Sequence, residues 1–251
     1  MTIEEYFGDW MKVLDKTEAM KIMGWLRTVN PNTLCPTLPN VFRAFKLCSY
    51  NKLRCVMLFQ DPYPQQINGI PVATGIAIGN SKDTPEDKLS PSLQVVKESA
   101  INYEIPHNPL TFDNTLESWA KQGILMINSA LTCEVNKVGS HTNIWRPFVS
   151  KLIKNLSYRE TGMIYVLFGK AAKSLKPYIN EKYNNIIEVQ HPAYFARINQ
   201  SMPSSIFTNI NNLLYGKYGE KIKWYKELNL NNEENERKSD FCNDFFWPCS
   251  L

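Results

Sequence analysis

Four polar clusters in this 251-residue chain directly follow short apolar runs, and their side-chain types could do chemistry together. Asp61 stands in Gln60-Asp-Pro-Tyr63, where Pro62, with fixed φ and no amide donor, stiffens the turn beside the bulky Tyr63 ring. A carboxylate in that setting either makes an Asx-turn or helix cap, or orients a water and stabilises a developing cation. Asn128, ahead of Ser129, carries an amide that donates and accepts at once. It can read a base edge that shows a carbonyl beside an N–H, or serve as a turn asparagine. His191, in His191-Pro192, is either a neutral donor to a ligand oxygen or a satisfied core histidine. Gly169-Lys170 forms the fourth cluster, and Ser140-His141 reads most simply as a loop with a capping role.

The elements that must position these groups are legible as apolar runs. Cys55–Phe59, Ile124–Ile127, Met163–Phe168 and Asn185–Val189 have the length and continuity of buried strands. Helical spacing marks residues 92–102, 145–156 and 203–215 between and after them. Alternation of this kind predicts a three-layer α/β/α sandwich around a central, mainly parallel four-stranded sheet. In open α/β sheets ligands bind beyond the carboxyl ends of the strands, and all four polar clusters fall there.

Composition bounds the function class. The chain is 43% hydrophobic and 21% charged, the balance of a globular protein, with a net charge of +4. That excludes a histone-like polybasic protein and an acidic tail, and permits nucleic-acid binding without requiring it. The N-terminus has acidic residues where a secretory signal needs basic ones, and no apolar run reaches the ~20 residues of a membrane span. The six cysteines lack a C-x-x-C pair and the three histidines lack H-x-x-x-H spacing, so reduced thiols and no metal site are expected. These features together predict an intracellular protein that is neither secreted nor membrane-bound.

In order along the chain, strand–QDPY, strand–N, strand–GK and strand–HP resemble the family 1 uracil-DNA glycosylases. Phe59-Gln-Asp-Pro-Tyr-Pro64 is similar to the family's first motif, and Ser90-Pro-Ser-Leu93 to its proline-serine loop. Residues 116–132, ending Asn128-Ser-Ala-Leu-Thr132, match most closely, and Ser140-His141, Trp145, Leu167–Lys170, His191-Pro192 and Phe207–Asn211 continue the likeness over about residues 18–228. The resemblance implies a cofactor-free enzyme that flips uracil out of DNA and hydrolyses its N-glycosidic bond, initiating base-excision repair. Asp61 and His191 would be catalytic: one stabilises the sugar cation and positions water, the other donates to O2 of the departing uracil. Gln60, Tyr63, Ile78 and Asn128 would bind the base, with Asn128 rejecting cytosine and Tyr63 excluding the thymine methyl. Pro64, Ser92, Gly169, Lys170, Ala193 and Phe195 would meet DNA, mostly at phosphates, with Phe195 filling the gap left by the flipped nucleotide.

Several residues depart from the family pattern. Pro64 replaces a histidine, Ile78 falls where a phenylalanine stacks on uracil, Ala193 replaces a serine, and Lys170 replaces a hydroxyl residue in the second serine-bearing loop. The loop from Gln65 to Val72 is also longer than usual. These departures motivate an alternative: a glycosylase-derived DNA-binding or replication-accessory protein with weak or lost catalysis.

Domain organisation is expected as a glycosylase-like unit over 1–228, a polar linker over 229–240 and an aromatic peptide over 241–251. The Phe241, Phe245, Phe246 and Trp247 aromatics resemble sliding-clamp-binding peptides, and fold equally well back onto the domain's own surface. Expected partners are uracil-containing DNA, single- or double-stranded, a clamp or other replication protein, and a protein inhibitor, with the chain itself a monomer. The N-terminal apolar stretch around Trp10, Leu14, Ile22 and Leu26 reads as packing helices.

Overall fold

A computed structural model describes residues 2–228, so the expectations for 229–240 and 241–251 fall outside the described residues. The central sheet is built from β1 (Cys55–Phe59), β2 (Ile124–Asn128), β3 (Ile164–Phe168) and β4 (Asn185–Val189). Its order is β2-β1-β3-β4, and every neighbouring pair is parallel. All residues of β1, β2 and β3 are buried, which is why they read as continuous apolar runs rather than alternating ones. β4 lies at the edge and is only half-buried.

Parallel pairing requires crossovers, and helices supply them. They pack around the sheet as α1 (Lys16–Leu26), α2 (Pro91–Ile101), α3 (Thr142–Arg159), α4 (Gly169–Lys173), α5 (Pro192–Arg197) and α6 (Ser205–Tyr218). The fold is thus the α/β architecture expected from the sequence. Asp15 caps α1 through the Glu18 amide at 2.9 Å, and Lys151 of α3 bridges to both Asp15 and Glu18. One continuous apolar core runs from Phe7 to Trp224. Trp119 donates its indole N–H to the Trp224 carbonyl at 2.9 Å, tying the final described segment to the helix Glu117–Lys121 ahead of β2.

The long loop after Gln60-Asp-Pro-Tyr63 is a hairpin rather than an open loop. Gln66–Ile67 pairs antiparallel with Ile70–Pro71 around Asn68-Gly69. Both turn residues have positive φ, 51° and 76°, as a tight two-residue hairpin turn requires. Ile67 and Ile70 face each other across it and remain mostly exposed.

Candidate active site

The sheet's register brings the polar clusters together. Phe59, last residue of β1, lies directly opposite Asn128, last residue of β2. Beyond them the Ser129 amide donates to the Phe59 carbonyl at 2.9 Å, and the Ser129 hydroxyl donates to the Gln60 carbonyl at 2.8 Å. Gln60 and Asp61 are therefore clamped to the Asn128 turn. On the other side of β1, the Phe59 and Phe168 rings stack with centroids 4.4 Å apart, and the His191 ring meets Phe59 edge-on at 6.2 Å. Gly169 allows this approach: a Cβ there would lie 2.9 Å from the His191 Cβ, and its φ of +81° suits glycine.

Asp61 keeps one carboxylate oxygen accepting from the Gln60 carboxamide at 3.1 Å, while Oδ1 is buried without a partner. Burial pushes its carboxyl above the usual carboxylate range, against hydrogen bonds from Gln60 and the Gly139 backbone and the nearby His141. Asn128 likewise buries Oδ1 with no partner. A buried orphan oxygen costs about 1–3 kcal/mol, so two of them at adjoining strand ends call for an explanation in function.

His191 is fixed in its tautomer. Its Nδ1 accepts from the Ala193 amide at 3.2 Å, so in the neutral ring the proton sits on Nε2. Burial lowers its pKa, which keeps the ring neutral. The arrangement holds an acceptor, a bifunctional amide and an N–H donor around one end of the sheet.

Asn128 also lines a cleft walled by Tyr63, Ile78, Ile127 and Leu131, whose lining includes neither Asp61 nor His191. Its open volume is about 10 Å³, the room of a single water. The Tyr63 hydroxyl donates to the Ile78 carbonyl at 3.1 Å. Ile78 is buried with φ +58°, an outlier for a β-branched side chain. The thiols of Cys133 and Cys35 reach the carbonyls of Pro62 and Pro64, holding the backbone on either side of Tyr63. All four described cysteines are free and buried.

The residues expected at DNA occupy varied positions. Lys170 and Ala193 are exposed at the starts of α4 and α5, whereas Gly169 and Ser92 are buried. Pro64 is half-buried, its carbonyl accepting from the Asn136 amide at 2.9 Å. Phe195 is half-buried against the core, and its neighbour Tyr194 is the exposed aromatic of α5.

His141 has more than a loop role. It is buried, makes no side-chain cap, bonds Thr132 through Nδ1 at 3.0 Å and packs edge-on against Trp25. Trp145 donates to the same Thr132 hydroxyl at 2.7 Å. The sequence signal was the histidine four residues before Trp145, one helical turn away.

The family and relatives that this α/β chain matches make it an enzyme that hydrolyses N-glycosyl bonds, a DNA glycosylase. Residues 46–215 match the model of the uracil DNA glycosylase superfamily, and the chain belongs to that superfamily. It is 30% identical over 228 residues to a uracil-DNA glycosylase of Alkaliphilus metalliredigens, covering 86% of this chain and 94% of that one. A uracil-DNA glycosylase of Campylobacter lari is 33% identical over 202 residues, covering 79% and 82% of the two chains. Among solved structures, mimivirus uracil-DNA glycosylase superposes with a TM-score of 0.67 at 24% identity, over 89% of this chain and 93% of that one. A tyrosine-to-phenylalanine variant of the mimivirus protein, also at TM-score 0.67 and 24% identity, was solved in complex with UGI; it covers 89% of this chain and 94% of that one.

Proposed function

We propose that this protein excises uracil from DNA by turning the nucleotide out of the stack and hydrolysing its N-glycosidic bond, the opening step of base-excision repair. The observation that carries the proposal is the pair of partnerless buried oxygens on Asp61 and Asn128, beside a His191 whose free N–H is on Nε2. Uracil offers an N3–H to the Asn128 oxygen and a carbonyl to its amide, whereas cytosine presents an acceptor at N3 and rejects the same pairing.

As the C1′–N1 bond breaks, the sugar becomes an oxocarbenium-like cation and uracil leaves as an anion. Ionised Asp61 stabilises that cation and orients the attacking water. His191, neutral and donating through Nε2, stabilises the negative charge that develops on O2. Water then adds to C1′ and its proton is released, so the products are free uracil and an abasic sugar. Tyr63 stands against C5 and excludes a methyl group, Gln60 and Ile78 complete the base pocket, and Ile78 gives an aliphatic face where stacking would be stronger with an aromatic. Pro64, Ser92, Gly169, Lys170 and Ala193 hold the phosphate backbone, and Phe195 fills the vacated stack. UGI, found on the mimivirus relative, is a candidate inhibitor of this chain.

The test is a uracil-containing oligonucleotide incubated with the protein and then treated with alkali. Strand cleavage that needs uracil and is lost in Asp61→Asn supports the reading. Salt-dependent binding with no base release at enzyme excess replaces it with the DNA-binding alternative.

A further inference from the structure

Ser90 immediately precedes α2, at the N-cap, where a serine oxygen ordinarily accepts from an amide of the first turn. Here it makes no such bond. Its hydroxyl instead lies 2.6 Å from the Tyr63 hydroxyl and 2.7 Å from Asn80 Oδ1. The Ser90 amide also donates to Asn80 Oδ1 at 3.1 Å, which fixes the oxygen end of that carboxamide toward Ser90. Asn80 is only 1% exposed, and its own amide is held by the Asn114 carbonyl at 2.9 Å.

The hydroxyl protons are consistent in two arrangements. When Ser90 donates to Asn80, Tyr63 donates to Ser90. When Ser90 donates to Tyr63, the phenol donates to the Ile78 carbonyl, 3.1 Å away. In both, the phenolic oxygen is held by a hydrogen bond to a residue fixed elsewhere in the fold. That carbonyl is presented by a buried isoleucine held at positive φ, a strained conformation that persists only where surrounding contacts over-determine it. A capping bond withheld and a strained residue maintained converge on the same phenolic oxygen.

Building on the proposed uracil excision, we infer that Ser90 and Asn80 are positioning residues that set base specificity, by limiting how far the Tyr63 ring yields when a pyrimidine enters. The cleft has room for one water, so every substrate displaces its walls. A uracil with hydrogen at C5 needs the smaller displacement. A methyl or bromine at C5 needs Tyr63 to move further, against the tether. Removing the tether relaxes rejection of the bulkier base without touching the groups that break the bond.

The experiment compares oligonucleotides identical except for uracil or 5-bromouracil at one position. Bromine is close to methyl in size, and the brominated base is the better leaving group, so exclusion rather than chemistry limits its release. Ser90→Ala is expected to lower the preference for uracil, as a ratio of kcat/KM values, about tenfold. The change should come from a lower KM for bromouracil, with kcat on uracil within about twofold of wild type. Ser90→Thr keeps the hydroxyl and should keep the wild-type ratio. Tyr63→Phe cuts the same tether from the other end, so it provides an independent reading if Ser90→Ala folds poorly, and the double variant should be non-additive. A folded Ser90→Ala or Tyr63→Phe protein with an unchanged ratio overturns the inference alone. A wild-type protein that releases no uracil removes the functional proposal and this inference together.

Discussion

At the scale of single residues, Asp61 buries a carboxylate oxygen that receives no hydrogen bond, and its pKa is raised by that burial. A group held above its unfolded pKa binds protons more tightly when folded, so its contribution favours the native state at low pH and is lost as pH rises through the folded value. Asp61→Asn should therefore melt higher than wild type near neutral pH, by about 2–4 °C for roughly 1 kcal/mol, while losing base release. The gain should shrink as the buffer is acidified, and thermal melts at several pH values check it. A variant that melts lower at neutral pH shows that the carboxylate stabilises the fold. His191 makes a complementary prediction, because its active form is neutral and its pKa is lowered. Asp61 and His191 both lose their active forms on acidification, so these two groups give the pH profile of kcat an acid limb only. His191→Ala should lower kcat by about 10²–10³ with little change in KM, since the donor acts on charge that appears only in the transition state.

Strand ends are the elements that turn scattered residues into a site, and they explain what was readable beforehand. β1 to β3 were legible because buried parallel strands are continuous apolar runs, which stop at Gln60, Asn128 and Gly169, whereas the half-buried β4 was legible from Ile186, Ile187 and Val189 despite Glu188 within it. Asn128 proved to be the last residue of its strand, not the first after it. The hairpin at 65–72 was read as a loop although Asn68-Gly69 is a strong turn signal, because its strands are two residues long and carry no alternation. The Tyr63–Ser90–Asn80 tether was illegible for another reason: it depends on packing between residues 10 and 27 positions apart that no local spacing records. Where β3 enters α4, Gly169→Ala would drive a Cβ against His191 at a backbone conformation unsuited to alanine. It should cost about 1–2 kcal/mol of stability and lower kcat more than it raises KM. Denaturant melts with steady-state kinetics check both, and an unchanged kcat means that His191 is not positioned from β3.

Over the whole molecule, the core closes through the segment just before residue 228. Trp224 is 1% exposed, packs edge-on against Trp119 and Phe207, and accepts the Trp119 indole N–H on its carbonyl. Asn211 of α6 bonds Ile222 from both ends of its carboxamide, donating to the carbonyl and accepting from the amide. The stretch Ile222–Trp224 is therefore a structural closure, holding α6 and the helix before β2 in one unit. Removing a buried tryptophan costs about 3–5 kcal/mol, so Trp224→Ala should melt roughly 6–20 °C lower. A chain ending at residue 228 keeps every contact of that closure among the described residues and the whole 46–215 family match. It should melt within about 2 °C of the full chain and release uracil with kcat/KM within about twofold. The two variants are informative together: instability of both would mean that residues 229–251 belong to the folding unit. A stable truncated enzyme with normal turnover would assign the aromatic peptide at 241–251 a role outside catalysis. Pulldown by a sliding clamp, lost on deleting 239–251, would then identify that role as partner binding.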